Sequence, residues 1–145
     1  MCVAAVAWQA HPDWLLVAIG NRDETHDRPA APLARWDDGS GILAGRDLRS
    51  GGTWLGISDA GHFALVTNRR GFGDPDPACV SRGALVTDVL TGTGIYSDTD
   101  AADLNKFNPL NLIVADHSQA RFLSNRPDEI RTSLTKGIYG LSKGA

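Results

Sequence analysis

The sequence predicts an α+β fold dominated by antiparallel sheet, on three observations. Short apolar runs divided by tight turns recur through the first half of the chain and again after Pro109. Helical spacing is confined to one region between them, from Ser81 to Lys106. The order of strands, helices and strands again is not the βαβ alternation of a parallel sheet.

Taken in order, Cys2 to Trp8 is small and apolar and reads as a strand beginning at the second residue. The turn Gln9-Ala10-His11-Pro12-Asp13 returns it into Trp14–Ile19, a run apolar enough to read as buried. The short connection makes an antiparallel hairpin, which brings Cys2 towards Asn21-Arg22-Asp23-Glu24. Thr25 to Gly41, with Pro29 and Pro32, reads as a long surface loop. Ile42 to Ala44 is a short strand. After Ser50-Gly51-Gly52-Thr53, the segments Trp54–Ser58 and His62–Asn68 form the clearest hairpin, around Asp59-Ala60-Gly61. Arg69 to Pro77 is a loop. Ser81 caps a helix through Leu90, with Leu85/Val89 and Val86/Leu90 on one face and Gly92 ending it. A second helix is expected from Asp98 to Lys106, acidic at its positive end. Asn111–Asp116 and Ala120–Ser124 pair around His117-Ser118, and Ile130–Thr135 and Ile138–Leu141 are weaker strands.

Length and composition fit one soluble globular domain over residues 1–145: 42% hydrophobic and 21% charged,. A net charge of −3 argues against a nucleic-acid binder,. No apolar run approaches the ~18 residues of a membrane-spanning helix. The start lacks the basic n-region of an export signal, so a cytoplasmic location and two free thiols, Cys2 and Cys79, are expected,. The four histidines are scattered and no metal site is expected.

Cys2 is the sharpest chemical feature. By position alone it is a small apolar residue opening a strand. Removal of Met1 ahead of it would leave one residue carrying a thiol and a free α-amine. An amine of pKa ~8 can serve as the base for its own thiol. An amide-cleaving site then needs a carboxylate near the amine, a cation or polar group for the substrate, and donors for the oxyanion. Asp23 and Arg22 could supply the first two, and Asn68, ending its strand, an amide donor. The bland alternative is a solvated turn with local ion pairs. Thr53 and Trp54, after two glycines, read either as a pocket wall or as a turn with an aromatic in the core. Arg69-Arg70 reads as a holder for an anion or as a solvated basic pair. Cys79 reads as incidental.

Several motifs occur here in one order: Met-Cys, Asn21-Arg22-Asp23-Glu24, Arg28-Pro29, Gly51-Gly52-Thr53-Trp54-Leu55-Gly56, Thr67-Asn68, Arg82-Gly83, Asn111-Leu112 and Tyr139-Gly140-Leu141-Ser142. On these the chain resembles the NRDE family, also called the transport and Golgi organisation 2 family, over its whole length. The resemblance implies an N-terminal-nucleophile-hydrolase-like fold, a sandwich of two antiparallel sheets with helices outside. It also implies relationship to penicillin V acylases and bile salt hydrolases. Carried over, Cys2 would be the nucleophile, Asp23 would contact its amine and thiol, and Arg22 would support them. Asn68 would donate to the oxyanion, and Asn21 could take either polar role. The family usually reads Asn after Tyr-Gly-Leu-Ser, where this chain has Lys143. The chain is therefore expected to be the N-terminal part of a longer family domain, with a sheet edge or face left uncovered and a tendency to self-associate.

Two functions stay open at this stage. One is a cysteine amidohydrolase acting on a small acylated amine. The other is a non-catalytic carrier of haem or of an acyl lipid, linked through the family to secretion, haem trafficking and lipid homeostasis.

Overall fold

The computed structural model describes residues 3–142. Cys2 and Lys143, on which part of the sequence reading rests, lie outside them. The first hairpin joins β1 (Val3–Trp8) to β2 (Leu16–Asn21). It is followed by β3 (Ala30–Arg35), β4 (Ile42–Asp47), β5 (Leu55–Ser58) and β6 (Phe63–Asn68), then by the helix α1 (Arg82–Thr91). The chain continues as β7 (Leu110–Ala115), β8 (Ala120–Ser124), β9 (Ile130–Ser133) and β10 (Gly137–Ser142). Strands β3 to β9 form a seven-stranded sheet in sequence order, and β1 lies between β10 and β2 in a second, three-stranded sheet. Every strand pairing is antiparallel.

The two faces of the large sheet carry separate cores. One face, with Ile42, Ala64, Val66, Leu112 and Leu123, packs under Leu85, Val86, Val89 and Leu90 of α1. The other, with Phe63, Leu65, Ile113 and Ala120, packs against Ala4, Val6 and Trp8 of β1. The order is helix, sheet, sheet, and the period-two alternation of β1 and β6 sorts the side chains into these layers. The far face of the small sheet is uncovered among the described residues: Val3, Val17, Ile19 and Ile138 are all exposed.

The helix ends as the sequence requires. Ser81 Oγ accepts the Gly83 N–H at 3.2 Å. Gly92, at φ 71°, turns the chain left-handed and donates to Asp88 and Val89,.

Three expectations are corrected. The 25–41 segment contains a strand, β3. Its pairing with β4 shifts register between Ala31 and Ala34, around Pro32. An edge strand tolerates proline at such an irregularity, where no ladder N–H is needed. The Asp98–Lys106 helix is replaced by turns and a single 3-10 turn over Leu104–Lys106. Asp98 and Asp103 accept the N–H groups of Asp100 and Asn105, and such local bonds compete with a helix,. The β2 run is only half buried: Leu16 and Ala18 face the core, while Val17 and Ile19 face out. No helix among the described residues is long and apolar enough to cross a membrane.

Candidate functional site

Strand ends from both sheets meet at one edge of the sandwich. Val3, opening β1, pairs with Asn21 at the end of β2 and with Ser142 at the end of β10. In the large sheet β6 ends at Asn68, opposite Leu110. The buried amide of Asn111 links the two, reaching Thr67 Oγ1 at 3.4 Å and the Ser142 carbonyl at 3.5 Å.

A cavity of about 560 Å³ opens at this edge, and Arg22, Thr53, Trp54 and Asn68 all line it. A second cavity of about 440 Å³ adjoins it, sharing Glu24, Asn68, Pro75 and Arg82, and adding Asp23 and Arg69. Six of the eight residues named from the sequence therefore border one continuous region. Asn21 lines neither cavity; it is the exposed last residue of β2. Cys2 lies outside the described residues.

Close backbone approach shapes the cavity wall. A Cβ on Gly52 would come within 2.5 Å of the Gly83 carbonyl carbon, so the turn before β5 sits against the start of α1,. That contact holds Thr53, buried with its hydroxyl donating to the Leu55 carbonyl at 3.4 Å, and Trp54 beside it. The Trp54 ring lies across Gly45 of β4, where a Cβ would meet it at 3.0 Å. Both cores touch this ring, and the Arg22 guanidinium stacks on it at 4.5 Å from the centroid. Trp54 is thus a wall of the cavity and a part of the core together. Arg69 stacks on Phe72 and donates to the Arg126 carbonyl at 2.7 Å, while its buried Nε has no partner.

The charges of the cavity fall into two groups. Arg28 grips Asp47 through Nε and Nη2, at 2.9 and 2.6 Å, and lies 4.0 Å from Glu24. Partial burial by itself would raise the Asp47 carboxyl, but the Arg28 hydrogen bond and charge, with the Arg49 N–H, hold it below the usual carboxylate range,. Glu24 also accepts the Thr25 N–H, so it both shapes the turn and pairs with an arginine. Arg82, by contrast, donates to the Pro109 carbonyl at 2.9 Å. Burial, and next the neighbouring Arg28 charge, hold it below its ordinary value.

Sequence reasoning missed Arg28, Asp47 and Arg82 as site residues. Arg28-Pro29 and Arg82-Gly83 stand among the motifs of the resemblance, and that was the available signal; nothing marked Asp47. Cys79, read as incidental, lines the larger cavity. Among the described residues no three His, Cys, Asp or Glu converge to hold a metal ion. Chemically, the region offers amide donors, guanidinium groups and an apolar wall of Trp54, Val66 and Val80. These suit a small polar ligand with an apolar part.

The family model described as "Transport and Golgi organisation 2" matches residues 1–145. The chain is 34% identical over 164 residues to the human Transport and Golgi organization protein 2 homolog and 33% identical to the mouse homolog. Each alignment covers 98% of this chain and 56% of the relative, so the chain spans little more than half the length of these proteins. Among solved structures it overlays an N-acylethanolamine-hydrolyzing acid amidase ortholog of Caenorhabditis elegans. The TM-score is 0.64 at 14% identity, over 99% of this chain and 70% of that one. At that identity the overlay shows the fold alone: an N-terminal-nucleophile-hydrolase-like arrangement of antiparallel sheets.

Proposed function

Because this chain belongs to the Transport and Golgi organisation 2 family and carries a hydrolase-like fold, we propose that it is a cysteine N-terminal nucleophile amidohydrolase acting on a small acylated amine. One observation supports this reading above others. Arg22, Thr53, Trp54 and Asn68 converge on a single cavity at the edge where β1 begins, one residue after Cys2.

In this reading the α-amine of Cys2, freed by removal of Met1, takes the thiol proton. The thiolate adds to the amide carbonyl carbon, and the oxyanion is met by the Asn68 side chain and a backbone N–H. Collapse breaks the C–N bond, the leaving amine takes the proton from the α-ammonium, and a thioester remains. Water then adds to the thioester carbonyl, giving a proton to the α-amine. The second collapse releases the carboxylic acid and restores the thiol. Asp23 orients the amine and Arg22 fixes the polar part of the substrate. Loss of one oxyanion donor commonly costs about 10²–10³ in rate, so Asn68→Ala is expected to fall in that range.

The test is the intact mass of the purified chain before and after reaction with an acyl electrophile. Loss of Met1 and a single acyl adduct on Cys2 are expected. Retained Met1 removes the mechanism, since no free amine would adjoin the thiol. The second reading, a non-catalytic carrier of haem or an acyl lipid, draws on the same cavity with its arginines beside Trp54 and Val66. It predicts ligand uptake that survives Cys2→Ser in a chain that takes no acyl adduct.

A further inference from the structure

The larger cavity holds more positive charge than its own carboxylates neutralise. Its three carboxylates are already engaged. Asp47 is held by Arg28 and by the Arg49 N–H, Glu24 accepts the Thr25 N–H and lies by Arg28, and Asp76 accepts the Ala78 N–H at 2.8 Å. Arg22 and Arg82 line the same space, and among the described residues neither has a carboxylate within ion-pair distance. Arg82 is partly buried, and of its charged neighbours Arg28 opposes its charge more than Glu24 offsets it, so an added anion would be favoured beside it,. It also sits in the first turn of α1, whose positive end opens on the same wall at Ser81 and Gly83,. In the adjoining cavity the buried, unpartnered Nε of Arg69 is another donor without an acceptor.

We propose that the substrate is an N-acyl amino acid, with the carboxylate of its amine half held by Arg82, Arg22 and the start of α1. The acyl chain then lies along Trp54, Val66 and Val80, the apolar wall of the cavity. This leaves the carboxylate for the arginine side and distinguishes the substrate from a neutral N-acyl amine. The assignment rests on the amidohydrolase reading for its amide, but the anion site stands on the cavity alone. Guanidinium is the group suited to it, because its planar fork matches a carboxylate.

The experiment is calorimetric titration of the Cys2→Ala chain, which cannot turn over, with N-decanoylglycine and with its neutral counterpart N-decanoylethanolamine. The glycine conjugate is expected to bind at least ~10-fold tighter, with the gap shrinking as salt is raised. Arg82→Met is expected to abolish the gap; because Arg82 also contacts Pro109, Arg22→Gln serves as the second variant and should narrow it. Equal affinities, no binding of either amide, or a gap unchanged in Arg22→Gln would overturn the anion site. Hydrolysis is read separately in the unmutated chain. A binding preference without hydrolysis removes the nucleophile reading and leaves the anion site. Hydrolysis of both amides at equal kcat/KM keeps the nucleophile and removes the anion site.

Discussion

Arg28 and Asp47 tie the turn after β2 to the end of β4, and so tie the small sheet to the large one beside the cavity. The pairing gives a pH signature. Asp47 is held below its ordinary value when folded, so its contribution is full above the unfolded value of about 3.9 and is lost as pH falls through the lower folded value,. The thermal midpoint of the chain is therefore expected to drop in acid below about pH 4, and Asp47→Asn should flatten that limb while lowering the midpoint at neutral pH. Parallel pH profiles for the two proteins would exclude the pair as a stabilising contact. Arg22 acts differently, through the face of Trp54. Such contacts contribute about 0.5–2 kcal/mol. Trp54→Leu should therefore lose stability and also free the Arg22 side chain, visible as loss of ring-current shifts on its δ-methylene in NMR.

At the scale of elements, the site depends on how α1 is seated. Its inward residues Leu85, Val86 and Leu90 are fully buried against the large sheet. Leu85→Ala is expected to cost about 2–5 kcal/mol in urea unfolding. Loss of the Ser81 cap should cost about 1 kcal/mol. The decisive contact is at Gly52, where an added Cβ would strike backbone rather than a movable side chain. Gly52→Ala should shift the start of α1, destabilise the chain by about 1–3 kcal/mol and weaken ligand binding more than Ser81→Ala does. Equal effects of the two on binding would separate the helix seat from the cavity. The helix was legible because its two caps and its i, i+4 pairs agree with each other. The Asp98–Lys106 helix was misread because the acidic residues that favour a helix start are the same residues that close local turns,. The β3 strand was missed because two prolines within it and before it argue for a loop, and only its edge position makes them tolerable.

For the whole molecule, the layers are unequal in what they cover. The large sheet is packed on both faces, whereas Ile19 and Ile138 stand 69% and 77% exposed on the outer face of the small one. Contiguous apolar surface of this kind favours association. Concentration-dependent sedimentation of this chain is expected, reduced by Ile19→Lys combined with Ile138→Lys. A monomer at all concentrations would remove that expectation. The same sheet also leads directly into Arg22, which follows β2 and lines the cavity, so variants on its outer face are best checked for binding as well.

The family, the antiparallel character and the hairpins are legible in the sequence alone, and six of the eight residues singled out there border the cavity region. These are local or motif-borne signals: alternation, turn glycines, caps and short runs of distinctive residues. Which charges meet is set by the packing of the sheets and the helix. Asp47 joins Arg28 across nineteen residues of chain, Arg82 arrives from the helix, and Asn21 is left out while its neighbour Arg22 turns in. Strand alternation separates adjacent side chains to opposite faces, and sheet stacking then brings distant ones together. Neither distance in sequence nor residue type carries that information.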